Sequence, residues 1–343
     1  MSAVSEPATP AAALPPDGST SAGSTIAQAT RIFGWLNLAF LATYMANNFL
    51  VHGAGLPGAG AALALEGGVL AWLQLASYLA AIVLTVLFVQ RTAATRGLRT
   101  DSATIHNANT FIIRAAFWAV FLVGIADATI SFLRVEGLLE SVVGEEMTTA
   151  LGRPQYRGPV VHVPLMLLGV LIAMVTRTLG FIWLASLIVL AELLIVITRF
   201  VFSYEQAFMG DLVRFWYAAL FLFASAYTLF EDGHVRVDVF YAGFNPRSKG
   251  FVNALGCILL GLALTWTIIF IGFAGRAAAI NSPMMSFEVS QSGFGMYIKY
   301  LMAGFLGLFA ITMTIQFVSY LMEAVADWRD EPGRREVAAE IAH

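Results

Sequence analysis

Charged residues are scarce in this chain. Of its 343 residues, only 12% are Asp, Glu, Lys or Arg, and 59% are hydrophobic. A soluble domain carries roughly a quarter charged residues, so the composition excludes an ordinary soluble protein. The apolar residues come in runs of about 20, which is the length that crosses a bilayer as a helix. The sequence therefore predicts an all-α integral membrane protein.

Cysteine is also rare, and the net charge is small. The formal net charge of −3 gives no electrostatic basis for binding nucleic acid. The one cysteine, Cys257, lies in an apolar run, so it has no intramolecular disulfide partner and is interpreted as a packing residue. No spacing of His and Cys is typical of zinc, and no Ser/His/Asp, HExxH or P-loop pattern occurs. We therefore predict neither an enzyme nor a chain with a cofactor or metal of its own.

Eight apolar runs divide the chain and predict about eight transmembrane helices. The fourth run, 160–175, is short for a span and contains Pro164, so a helix that lies in the interface or re-enters the membrane remains an alternative. Residues 1–30, rich in Ala, Pro, Ser, Thr and Gly, are predicted to be disordered. The predicted spans are approximately 32–51, 68–89, 111–133, 160–175, 179–202, 212–230, 252–274 and 294–322.

Basic residues in the short loops predict the orientation. With eight spans, eleven basic residues fall on one face of the membrane and far fewer on the other. Because Lys and Arg are enriched on the cytoplasmic side, both termini and the tail 328–343 are predicted to be cytoplasmic. The eleven are Arg31, Arg91, Arg96, Arg99, Arg177, Arg236, Arg247, Lys249, Arg329, Arg334 and Arg335.

Three ionisable residues lie inside or at the edge of apolar runs. Asp127 and Glu192 are the deepest carboxylates, and Arg199 lies near the end of the fifth run. A charge inside the bilayer is costly unless it is paired, protonated or beside water. We interpret all three as polar anchors of the helix bundle, with Arg199, Arg134 or a neighbouring Ser or Thr as candidate partners of the carboxylates. An ion or proton site is the alternative.

The densest polar cluster is the segment Glu231–Asp238, between two apolar runs. His234, Arg236 and Asp238 alternate with valines, so they share one face if the segment is extended. This pattern predicts a defined loop at the end of the sixth span. Arg236 is placed to reach lipid phosphates or a partner protein.

From about Leu179 onward the chain resembles the small membrane subunit of tripartite ATP-independent periplasmic (TRAP) transporters. A helix that ends in Thr198-Arg199-Phe200-Val201-Phe202 is followed by one that ends in Ala224-Ser225-Ala226-Tyr227. Gly233-His234-Val235-Arg236-Val237-Asp238 then matches the signature that follows the second helix of that family. An outer loop with Glu288-Val289-Ser290 separates the last two helices.

The resemblance implies a four-helix small-permease domain at 178–327, preceded by a membrane extension of about four helices at 31–177. It implies a place in the bacterial inner membrane, beside a large membrane subunit and a periplasmic substrate-binding protein. In that family the large subunit carries the solute, commonly an organic acid, together with sodium, and the small subunit steadies its static scaffold. His234, Arg236 and Asp238 are then structural, partner-facing residues.

Two features depart from the family. Its usual Trp and paired acids in the first outer loop are replaced by Ser203-Tyr204-Glu205 and Asp211. The extension carries no motif that we recognise, and we hypothesise that it enlarges the scaffold. Two other functions stay open: a self-sufficient transporter or channel that uses Asp127 and Glu192, and a membrane enzyme or electron carrier. The first is the main alternative.

Overall fold

The computed structural model describes residues 25–204, 206–231, 239–290 and 295–334. Within these ranges all regular structure is helical and no strand occurs, which confirms the all-α class. The eight long helices are α1 Thr25–His52, α2 Gly68–Arg91, α3 Leu98–Val135, α4 Pro154–Val175, α5 Phe181–Val201, α6 Met209–Phe230, α7 Pro246–Gly272 and α8 Lys299–Trp328. The shorter helices are Ala59–Leu63, Leu139–Val143, Glu145–Leu151, Val239–Ala242 and Asn281–Ser286.

Within the described residues, seven of the long helices are long and apolar enough to cross a membrane. The exception is α1, whose apolar character is lowered by Arg31 and by Asn37, Asn47 and Asn48. Helix α4 has 22 residues because it begins at Pro154, upstream of the apolar run. Proline is well suited to the first helical position, where no amide donor is needed. The fourth run therefore belongs to a helix of spanning length.

Helices α3 and α8 form the centre of the bundle. Helix α8 packs against α1, α3, α6 and α7, and α3 packs against α4, α6 and α8. Their shared interface buries polar as well as apolar side chains, including Asn109, Gln316 and Ser319. Helices α2 and α5 lie at the periphery, since α2 packs mainly on α1 and α5 mainly on α6.

Small residues allow close helix contacts. A Cβ added at Gly169 of α4 would lie 2.6 Å from the backbone nitrogen of Ala119 in α3. One added at Gly250 of α7 would lie 2.4 Å from the backbone nitrogen of Trp328 in α8. Without an attraction between apolar helices in lipid, such backbone approach supplies much of the packing energy of membrane helices. These two glycines are therefore required by the helix spacing.

Candidate functional site

A buried ion cluster joins α3, α4 and the start of α8. Asp127 of α3 and Arg157 of α4 are both fully buried, and Arg157 Nη1 donates to Asp127 Oδ1 over 2.9 Å. The backbone N–H of Tyr297 donates to Asp127 Oδ2 over 2.8 Å. Both carboxylate oxygens thus have donors, which is what a buried carboxylate needs to stay ionised.

His162 completes this cluster, which we call the Asp127 cluster: Asp127, Arg157, His162, Tyr297 and Tyr300. His162 Nε2 lies 3.0 Å from Asp127 Oδ1, and its Nδ1 lies 2.7 Å from the Tyr300 hydroxyl. A neutral imidazole protonated on Nε2 donates to the carboxylate and accepts from the tyrosine. The guanidinium of Arg157 also lies over the Tyr297 ring, 4.1 Å from its centre.

A π-helical turn in α4 makes this arrangement possible. Arg157 and His162 are five residues apart, which in a regular α-helix would place them about 140° apart around the axis. The turn Gly158–His162 is π-helical, and its extra residue per turn brings the two side chains toward the same carboxylate. Such turns are frequent at functional sites, but here every polar contact described is internal to the chain.

The sequence identified Asp127 but not its partners. It suggested Arg199, Arg134 or a hydroxyl residue, whereas the structure pairs Asp127 with Arg157 and His162. Arg134 lies beside the cluster, where it donates to the Tyr297 hydroxyl and to the Gly295 carbonyl. His162 stood alone in its apolar run, and the π-helical turn that aligns it with Arg157 has no signature in the sequence.

A second buried ion cluster ties α1 to the start of α3. Arg31 Nε donates to Asp101 Oδ2 over 2.7 Å, and both side chains are fully buried. Trp35 Nε1 donates to the same oxygen, and Arg96 Nε donates to Oδ1 over 2.9 Å. Arg31 also reaches the Thr92 hydroxyl at the end of α2. The cluster therefore joins three helices at one end of the bundle.

A row of polar contacts, the α3–α8 polar ladder, runs between these two clusters. Ser102 and Ser319 each donate a hydroxyl to the other's backbone carbonyl over 2.9 Å. Asn109 Nδ2 donates to the Thr312 carbonyl over 3.0 Å and lies 3.2 Å from Gln316 Oε1. The ladder is completed by Arg99 of α3 with its partners on α8, Glu323 and Asp327.

Glu192 and Arg199 lie elsewhere, on the exposed side of α5. This helix buries Leu184 and Ala191 against its neighbours. Glu192 therefore points away from the bundle, and Asp127 lies within it. The structure does not bring these two carboxylates together, so they form no common pathway.

In the loop between α5 and α6 and in the first turn of α6, two of the residues that replace the family's acids contact other loops. The Tyr204 hydroxyl donates to Glu136, and this hydrogen bond to a carboxylate raises the pKa of Tyr204. Asp211 Oδ2 accepts from the backbone N–H of Met296 over 3.2 Å. The Tyr204–Glu136 contact therefore links the two parts of the chain, whereas the Asp211–Met296 contact lies within the second part.

The signature residues His234, Arg236 and Asp238 lie outside the described residues, so their predicted role stays a prediction. In the part of the chain that the structure describes, no group of three or more His, Cys, Asp or Glu side chains is placed to hold a metal ion.

Comparison with known protein families gives a match in the second half of the chain. Residues 187–324 match the family described as tripartite ATP-independent periplasmic transporters, DctQ component. Through this segment the chain is similar to the DctQ component of these transporters. The match begins within α5 and ends within α8, so α1–α4 lie outside it. No curated protein and no solved structure shows significant similarity to the chain.

This match confirms the resemblance drawn from the motifs. A DctQ component is the small permease subunit of a TRAP transporter and not an enzyme, and it is a multi-pass protein of the bacterial inner membrane. The seven apolar helices agree with that location. Components of this family associate with a large membrane subunit and a substrate-binding protein.

Proposed function

We propose that this DctQ subunit pairs with the static scaffold of a large membrane subunit and steadies it during sodium-coupled uptake, that is, symport. The solute is an organic-acid-like compound that a periplasmic binding protein delivers. Sodium and solute bind to the large subunit, and this chain contributes helix surface. The packing of the described residues supports this division of labour, because the Asp127 cluster and the Arg31–Asp101 pair are engaged internally.

The observation that carries the proposal is the outer face of α5. Large apolar side chains cover it, among them Val189 and Leu190, which are 68% and 60% exposed. Glu192 lies on the same face, near the middle of a helix long enough to span the membrane. No described residue forms a hydrogen bond or ion pair with Glu192.

A carboxylate at that depth needs a partner from another chain. A charge at the centre of a membrane helix costs about 2.5–3.5 kcal/mol on insertion scales. A helix of the large subunit that supplies a basic or amide donor would remove this cost while its apolar residues cover the rest of the face. The α5 face with Glu192 is therefore the proposed contact with the large subunit.

Glu192→Leu tests the pairing. We expect this variant to recover at least about tenfold less large subunit in co-purification, because it leaves the partner's donor buried and unpaired. Glu192→Gln keeps hydrogen-bonding atoms and should retain most of the complex. Thr267→Leu is the matched control on the exposed side of α7, away from this face, since the Thr267 hydroxyl bonds only to the Ala263 carbonyl of its own helix.

Two results would contradict the proposal in different ways. Equal recovery with Glu192→Leu and the unchanged chain would show that the contact lies elsewhere. If the unchanged chain does not recover the large subunit, the two proteins do not pair. Sodium coupling is tested separately, by solute uptake into proteoliposomes that contain the whole complex, with and without a sodium gradient.

A further inference from the structure

An apolar groove opens between α3 and the start of α5. Its volume is about 300 Å³. Half of its lining residues are aromatic side chains from these two helices, and Thr178 and Gly180 of the link between α4 and α5 line it as well. The residues that line the groove include Phe117, Trp118, Phe121, Trp183, Leu184 and Leu187.

Two arginines lie beside the groove, near the link between α4 and α5. Arg114 precedes Phe117 and Trp118 by three and four residues, so it lies on the same face of α3. Arg177 lies next to Thr178, which lines the groove. Arg114 also contacts the Ala173 carbonyl, which lies four residues before Arg177. No carboxylate among the described residues pairs with either arginine.

The arginines retain unused donors. Arg114 donates from Nη1 to the Ala173 carbonyl over 3.3 Å, but its Nε is buried and has no partner among the described residues. Arg177 is exposed. Helix α5 also begins here, at Phe181, and its N-cap residue Gly180 offers no side-chain cap. Its first backbone N–H groups, which lack acceptors within the helix, add to the positive potential.

The link 176–180 joins two helices of spanning length, α4 and α5, so it belongs at a membrane surface. A ligand for this place needs a negative head at the surface and an apolar tail that extends into the bilayer. We propose that the groove holds an acyl chain of an anionic phospholipid, whose phosphate is bound by Arg114 and Arg177. This lipid site goes beyond the pairing with a large subunit and is formed by this chain alone.

Quenching of tryptophan fluorescence tests the site, because Trp118 and Trp183 both line the groove. The purified full chain is placed in phosphatidylcholine vesicles that contain either brominated phosphatidylglycerol or brominated phosphatidylcholine as a minor component. We expect phosphatidylglycerol to quench at lower concentration. Substitution of both groove tryptophans by phenylalanine should abolish this difference, which assigns the signal to the groove.

Arginine variants test the headgroup contact. One basic residue near the surface contributes about 1 kcal/mol toward anionic lipid, or about fivefold in affinity. Arg177→Gln should therefore weaken the preference about fivefold, and Arg114→Gln/Arg177→Gln should remove it. Arg177 is exposed, so its variant tests the site even if the double variant folds poorly. Arg153→Gln, at another exposed arginine, is the matched control and should change nothing.

Three outcomes would overturn the proposal. Equal quenching by the two brominated lipids would show no selectivity for the anionic headgroup. Loss of the preference in millimolar inorganic phosphate would indicate a free-anion site. Complete loss of the quenching when the large subunit is added would show that a protein helix occupies the groove.

Discussion

At the scale of single residues, the chain neutralises its buried carboxylates locally. Asp101 has two arginines and Asp127 has an arginine and a histidine, and both carboxylates are fully buried. A buried ion pair adds little net stability compared with apolar packing, but removal of one partner is costly because the other charge is left uncompensated. These pairs therefore control how helices are joined more than how strongly they associate.

Asp127→Asn should destabilise the folded chain by about 3 kcal/mol, because Arg157 then loses its counter-charge in a buried site. Unfolding of the purified protein in mixed micelles, followed by tryptophan fluorescence, measures the change. Glu140→Gln, at an exposed position in a loop helix, is the control and should stay within about 0.5 kcal/mol.

A second substitution separates charge pairing from general damage. Asp127→Asn/Arg157→Gln removes both charges, so it should lose less stability than the sum of the two single variants. Strict additivity, or an Asp127→Asn variant as stable as the unchanged chain, would show that the pair has no energetic role. The same unfolding measurement is made on all four proteins of this double-mutant cycle: the unchanged chain, the two single variants and the double variant.

At the scale of helices, hydropathy predicted the apolar centres well and the polar ends poorly. The third span was predicted at 111–133, but α3 begins at Leu98. Residues 98–110 include Asn109, whose amide is buried against α8. Hydropathy averaged over a short window assigns such polar residues to a loop, because the polar partners that compensate them lie about 200 residues away along the chain. The partners of Asp127 lie nearer, 30 and 35 residues away, but the π-helical turn that aligns them is not visible in the sequence.

Gly169→Ala tests the contact between α3 and α4. The new methyl group would meet the backbone of Ala119, which cannot rotate away, so α4 has to shift. We expect a loss of about 1–3 kcal/mol, which is typical of overpacking. Gly256→Ala in α7 is the matched control, since a Cβ there meets nothing within 4 Å.

The control should be neutral or stabilising by up to about 1 kcal/mol, because alanine is the better helix former. If Gly169→Ala behaves in the same way in the unfolding assay, the close approach of α3 and α4 does not limit stability. Equal losses at both positions would point instead to a general sensitivity of the helices to added volume.

At the scale of the whole molecule, the extension and the DctQ segment share one core. Helix α8, which contains the end of the DctQ match, has α3 and α1 among its main neighbours. The α3–α8 polar ladder and the Asp127 cluster cross the same boundary. The sequence showed two parts because only one carries family motifs, whereas a packing interface between helices leaves no such motif. We propose that α1–α4 enlarge the scaffold from within this shared core.

Division of the chain at the α4–α5 link tests this proposal. Fragment 178–343 alone should give little monodisperse protein, because it exposes Gln316 and Ser319 of the polar ladder to lipid, where polar groups without partners are costly. Co-expression of fragments 1–177 and 178–343 should restore a complex that co-purifies through a tag on either fragment. Size-exclusion chromatography measures both results.

The ladder provides the specificity control for this experiment. Asn109→Leu in the first fragment removes the donor to the Thr312 carbonyl and leaves Gln316 without that contact. Membrane hydrogen bonds average about 0.6 kcal/mol each, so the loss of these two should lower fragment recovery by a factor of about eight. Thr129→Leu, at an exposed hydroxyl that bonds within its own helix, should leave recovery unchanged. A monodisperse fragment 178–343 that binds the large subunit normally would show that α1–α4 are dispensable for the fold and for the scaffold contact.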